Sequence, residues 1–184
     1  MKKLLLVFAA SAVLFSCSKD DDKDTQNPNT NLTPASVLPG EWKMIGTKQQ
    51  GSSSFTGGSM SWVTTGSNFK GTATFSTGPN TVVSNFGYDF KMEMSYEIMG
   101  QTTTQTVEQT IPQTPANNTW SINSAGQLTG FSTDPSANMS TMDITIISAT
   151  EIVLTGVAQI TQSVPGIGSQ TADVDIETTL QKVQ

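Results

Sequence analysis

Between Phe86 and Ile98 every second residue is large and apolar: Phe86, Tyr88, Phe90, Met92, Met94, Tyr96 and Ile98, with Gly87, Asp89, Lys91, Glu93, Ser95 and Glu97 between them. A period of two over that length describes an extended strand with one oily and one wet face, because an α-helix would scatter the same side chains around its circumference. Gly100 then marks a turn. With Met99-Gly100 as a two-residue loop, Val107 comes opposite Met92 and Ile111 opposite Tyr88, so the only apolar residues of the stretch TTTQTVEQTI fall on the oily side. A long antiparallel hairpin is therefore predicted, and any fold for this chain has to house it.

Composition favours the same class. Thr, Ser, Gln, Asn and Gly are abundant and only 13% of residues are charged; β-branched Thr suits a pleated surface, and strong helix formers are scarce. Shorter strands are expected at 41–44, 61–65, 69–76, 118–123, 127–131, 142–146, 152–160 and 173–177, with Ser124-Ala125-Gly126 as a tight turn. The inward face of 152–160 is ambiguous, since apolar residues occupy both parities, and no stretch has helical periodicity. The length fits one domain of about 100–200 residues. Sequential hairpins must protect their edge strands. Closing them into a single antiparallel up-and-down β-barrel of about 8–10 strands does so, and this all-β barrel is the expected fold.

The chemical vocabulary is thin. The chain has no histidine and no arginine, which removes the usual general base near neutral pH, the commonest metal ligand and the planar group that grips phosphate. A net charge of −6 repels a nucleic-acid backbone, so no nucleic-acid partner is expected. Serine-rich segments lack a nucleophile elbow or a base partner, and Asp20 to Asp24 lack the glycine and spaced acids of a calcium loop. Asp173, Asp175 and Glu177 alternate on an expected outer, solvated face. No catalytic residue, metal or cofactor is expected.

The first residues carry an address. Lys2 and Lys3 precede an apolar run from Leu4 to Phe15, shorter than the roughly 20 residues of a spanning helix, in the layout of a secretory signal peptide. The run ends in Leu14-Phe15-Ser16-Cys17, and Cys17 is the only cysteine, so no intramolecular disulfide can form. A lone cysteine can also be a buried apolar residue, but a core helix has no need of the flanking lysines and acids. The segment resembles the lipobox of bacterial lipoproteins, which implies cleavage between Ser16 and Cys17, acyl chains such as palmitate on Cys17, and a membrane partner held through that lipid. Two or three chains anchor firmly without a spanning helix.

Ser18, Lys19, Asp20, Asp21 and Asp22 resemble the acidic export signal of surface lipoproteins of the Bacteroidota. That resemblance implies an outer-membrane protein displayed at the cell surface; a plain solvated spacer would leave it facing the periplasm. Thr25 to Ser36, TQNPNTNLTPAS, has no apolar periodicity and several breakers. The expected organisation is a signal peptide at 1–16, a lipidated N-terminus and tether at 17–36, and a folded body at 37–184.

Within the body, Leu38-Pro39-Gly40-Glu41-Trp42-Lys43-Met44 resembles the G-x-W opening of lipocalins and of lipocalin-like domains in Bacteroidota lipoproteins. Thr119-Trp120-Ser121-Ile122 and the stretch from Ile144 to Leu154 are similar to later hairpins of those domains. The resemblance implies a calycin-type barrel with Gly40 and Trp42 at its floor. The arginine that stacks on this tryptophan in typical members has no counterpart here, since the chain has none.

Such a barrel has room for one small apolar molecule. Tyr88, Phe90, Met92, Met94, Tyr96, Ile98, Val107 and Trp120 are the candidate lining residues. The same side chains also suit a filled core, for which methionine is an ordinary gap filler. Two functions stand side by side: a binder of a small hydrophobic or amphipathic ligand, or a non-catalytic structural subunit that presents its Thr/Gln/Ser strands to a surface protein or glycan.

Overall fold

The computed structural model describes residues 32–132, 141–164 and 168–184. The lipidation, cleavage and export expectations at Ser16, Cys17, Ser18, Lys19, Asp20, Asp21 and Asp22 lie outside the described residues. One helical turn, α1 (Pro34–Val37), is followed by β1 (Gly40–Phe55), β2 (Gly58–Lys70), β3 (Ala73–Ser76), β4 (Thr81–Ser84), β5 (Gly87–Ile98) and β6 (Gln101–Ile111). Then come β7 (Ala116–Thr119), β8 (Ser121–Ile122), β9 (Leu128–Thr129), β10 (Thr141–Ser148), β11 (Glu151–Val164) and β12 (Gly168–Lys182). The chain is all-β, and the described ladders are antiparallel.

The segments follow a back-and-forth path. β2 and β3 lie one after the other along β1, from Phe55↔Gly58 to Gly40↔Phe75. β5 and β4 lie in turn along β2 and β3, and β6 and β7 along β5 and β4. A register shift between Ser67 and Lys70, where Asn68 adopts a φ of 51°, divides the second pass. The first and last strands pair, from Trp42↔Lys182 to Gly51↔Val174.

This sheet departs from the expected closed barrel of about 8–10 strands. It has 12 strands, and its ladder runs β6-β5-β2-β1-β12-β11-β10-β9-β8 with β3, β4 and β7 branching from β1. Irregularities split single passes into pieces, which raises the strand count. The ladder is open because β6 ends it on one side, while β10 meets β9 only at Thr141 and Met142. From Gly156 onward β11 pairs with β12 alone among the described residues. Among the described residues, the far end of the sheet is thus flanked by two unpaired edges, β6 and the distal half of β11.

Two apolar clusters fill the concave side. The lower one gathers Leu38, Trp42, Met44, Phe75, Val82, Trp120, Leu128, Met142, Ile152, Leu154 and Leu180 with their neighbours. The upper one joins Met60 and Trp62 of β2 to Ala158, Ala172, Val174 and Ile176 of β11 and β12. Each fully buried aliphatic or aromatic side chain contributes about 1.5–3 kcal/mol. Between the clusters lies a belt of inward Thr47, Gln49, Thr64 and Thr178, in which the Thr47 and Thr178 hydroxyls pair at 3.3 Å.

Several elements exceed their expected bounds, among them β12 (Gly168–Lys182), which reaches well past 173–177, and β2 (Gly58–Lys70), which reaches past 61–65. β1 runs far beyond 41–44 because its distal inner face is made of Thr47, Gln49, Gly51 and Ser53, which give no apolar alternation. Gly51 permits this: a Cβ there would collide with the Trp62 indole, which lies across β1 toward β12. Residues 32–37, part of them expected as tether, also join the folded body. Leu32 packs on the lower cluster, and α1 is held by a capping box in which Thr33 and Ser36 exchange side-chain and backbone hydrogen bonds.

Candidate functional site

The hairpin β5–β6 has the predicted register, with Met92 opposite Val107 and Tyr88 opposite Ile111. Met99 and Gly100 have φ values of 49° and 77°, the paired positive angles of a tight hairpin loop. Alternation therefore sends Tyr88, Phe90, Met92, Met94, Tyr96 and Ile98 to the concave side, but the strand spans both clusters and separates these residues by height. Tyr88 and Trp120 are buried in the lower cluster, with Phe90 packed against it. Met92, Met94 and Tyr96 flank the upper cluster. Val107 is half-buried opposite Met92, and Ile98 stands at the lip, 46% exposed.

The eight candidate residues therefore do not line one cavity. Trp120 is structural: its Nε1 donates to the Ser76 carbonyl at 3.0 Å, and its ring meets Phe75 edge-on at 5.8 Å. At the far end, Tyr96, Ile98, Met99, Gln101 and Thr103 form an open depression of about 570 Å³. A second one, of about 430 Å³, lies on the convex side, against Ser61, Val63, Glu93, Ser95, Thr104 and Thr106, and does not continue the first. The Tyr96 hydroxyl donates to the Met94 Sδ at 3.3 Å. A thioether is a weak acceptor, so an oxygen on an incoming molecule would compete well for that proton.

The floor contains both expected residues and one that sequence alone does not suggest. Trp42 is fully buried and donates from Nε1 to the Leu38 carbonyl at 2.7 Å. Lys182, delivered by the β1–β12 register, places Nζ 5.3 Å from the Trp42 ring centre. Gly40 suits its place because its φ of 126° is one that other residues rarely adopt, and a Cβ there would also displace the Lys182 Cε, 2.7 Å away. Met60, Trp62, Gln101 and Thr103 are also absent from the expected set. The alternation of Met60, Trp62 and Thr64 was the available signal for the first two.

The charges of the hairpin lie outside. Lys91 and Glu93 pair at 2.7 Å on the convex face, with both side chains well exposed, so the pair adds little stability. Hydrogen bonds from Thr110 and Asn68 hold the Asp89 carboxyl below its ordinary pKa. Among the described residues no three acidic or thiol groups converge in the way a metal site requires. Buried polar side chains of the concave side are neutral.

No family model matches the chain, and neither a curated protein nor a solved structure does.

Proposed function

We propose that this chain is a lipid-anchored outer-membrane protein, displayed at the cell surface, whose lipocalin-like barrel takes up a small hydrophobic or amphipathic molecule at its open end. The observation that carries the binding reading is the depression of about 570 Å³, framed by concave-side Tyr96, Ile98 and Thr103, at the end of the concave side where Met94 and Tyr96 pack against the upper cluster. Methionine adapts its shape to irregular guests. Three features support a lipocalin-like barrel: the pairing of first and last strands, the passage of β7 into β8 so that one segment meets both β4 and β9, and the floor of Gly40, Trp42 and Lys182. The cation of Lys182 occupies the place that the resemblance gives to an arginine. The anchor rests on the sequence around Cys17; a Cys17→Ser variant should lose incorporation of labelled palmitate, and continued labelling would refute it.

Binding is tested with a fluorescent apolar probe. Met94→Arg puts a charge into the concave side and should abolish retention, whereas Glu93→Arg on the convex side should leave it intact. Equal retention by both variants rejects the pocket.

The second reading, a non-catalytic interaction subunit, is favoured by β6. Its outer edge has no partner strand among the described residues, and it carries one charge, Glu108, with neither proline nor lysine to discourage pairing.

A further inference from the structure

Thr64 Oγ1 is enclosed, in a residue 5% exposed, and has no hydrogen-bond partner among the described residues. Buried hydroxyls are nearly always satisfied, so an orphan calls for a group that the described residues do not supply. Thr64 sits on the concave face of β2, beyond Met60 and Trp62, which face Tyr96 and Met94 across the ladder. At about 3.3 Å per residue its hydroxyl lies roughly 13 Å below the level of Met60 and Tyr96. Met92 is its direct partner on β5 and Gln49 its partner on β1.

The charge of this environment selects among ligands. Buried polar side chains on the concave side are neutral, Lys48 and Lys91 beside Thr65 alternate to the convex face, and Lys182 is committed at the floor to the Val37 carbonyl and the Trp42 ring. A carboxylate or phosphate brought to Thr64 would be desolvated without a counter-charge, at heavy cost. A hydroxyl or carbonyl oxygen would instead be satisfied by the threonine, which can both donate and accept.

We propose that the ligand is a neutral oxygenated hydrocarbon, such as a long-chain alcohol or ketone, bound head inward with its oxygen on Thr64 Oγ1 and its chain along Met92, Met94 and Trp62 toward Tyr96. The half-buried Met92 and Met94 turn aside to admit it. This assignment rests on the binding function proposed above and adds the polarity of the head group.

The test compares 1-decanol, decanoate and a size-matched alkylbenzene at neutral pH, by displacement of a fluorescent probe from the intact chain, in the wild type, Thr64→Val and Thr64→Ser. In the wild type, decanol should bind about tenfold more tightly than decanoate and than the hydrocarbon. Thr64→Val should lose the preference for alcohol over hydrocarbon, while its ligand-free form melts at a higher temperature because the unpaired hydroxyl is gone. Thr64→Ser should keep the preference. Decanoate binding as tightly as decanol, an unchanged preference in Thr64→Val, or a lower melting temperature of that variant would each overturn the proposal. Equal binding of alcohol and hydrocarbon to the wild type would end the head-group assignment and leave the binding function standing. No binding of any of the three would end both.

Discussion

Lys182, at the end of the last strand, stands with Nζ 5.3 Å from the ring centre of Trp42, in the first strand, and donates to the Val37 carbonyl at 3.1 Å. Trp42 in turn donates to the Leu38 carbonyl, so one cation and one indole fasten the end of α1 to both terminal strands. The lower cluster is closed at this point by polar contacts as well as by packing.

Replacing Lys182 with Met should keep much of the aliphatic packing but remove the cation from the ring and leave the Val37 carbonyl without its donor. The expected loss is about 1–3 kcal/mol, read from the urea midpoint, with Lys182→Arg losing less. Equal midpoints for wild type and Lys182→Met would show that the contact has no stabilising role.

The alternation of hydrogen bonds along β6 makes two neighbouring prolines unequal. A two-residue loop makes Ile98↔Gln101 a bonded pair, so odd residues of β6 bond to β5 while Thr102, Thr104, Thr106, Glu108 and Thr110 turn their N–H and C=O groups to the free edge. Val107→Pro removes a ladder bond and should cost about 1–3 kcal/mol more than Thr106→Pro. If the interaction reading holds, Thr106→Pro should also abolish partner capture while the monomer stays folded. A Thr106→Pro variant as unstable as Val107→Pro would contradict this edge geometry.

Asp89 gives a pH prediction. Hydrogen bonds from Thr110 and Asn68 lower its pKa from the ordinary 3.8. A depressed folded-state value means that this carboxylate's contribution is present above 3.8 and is lost as pH falls through the folded value. In Thr110→Val the Asp89 midpoint should rise toward 3.8, and the stability difference from wild type should shrink in acid. Carboxyl titration by NMR checks the first point. A midpoint unmoved by the substitution would show that the Thr110 bond does not set it.

The β5–β6 hairpin was legible because alternation, turn and partner register agree over a long stretch. Alternation assigns a face and not a height, so Tyr88 and Tyr96 look equivalent in sequence but belong to different clusters. The extent of β1 was hidden by an inner face of Thr, Gln, Gly and Ser. Lys182 had no local signal, since its place depends on pairing with a residue at the other end of the chain. The capping box at Thr33 was readable, with Pro34 at the first helical position, but the polar surroundings concealed it. The ambiguous face of 152–160 is resolved by Gly156: Ile152, Leu154 and Ala158 turn inward, and Val157 is exposed.

Leu32 and Val37 rest against the lower cluster, whereas Tyr96 and Ile98 rim the opposite pole. The described chain consequently begins at the base of the molecule. A protein moored through that end would hold its aperture toward the surroundings, as a goblet is held by its foot, and a guest could come and go without passing the mooring.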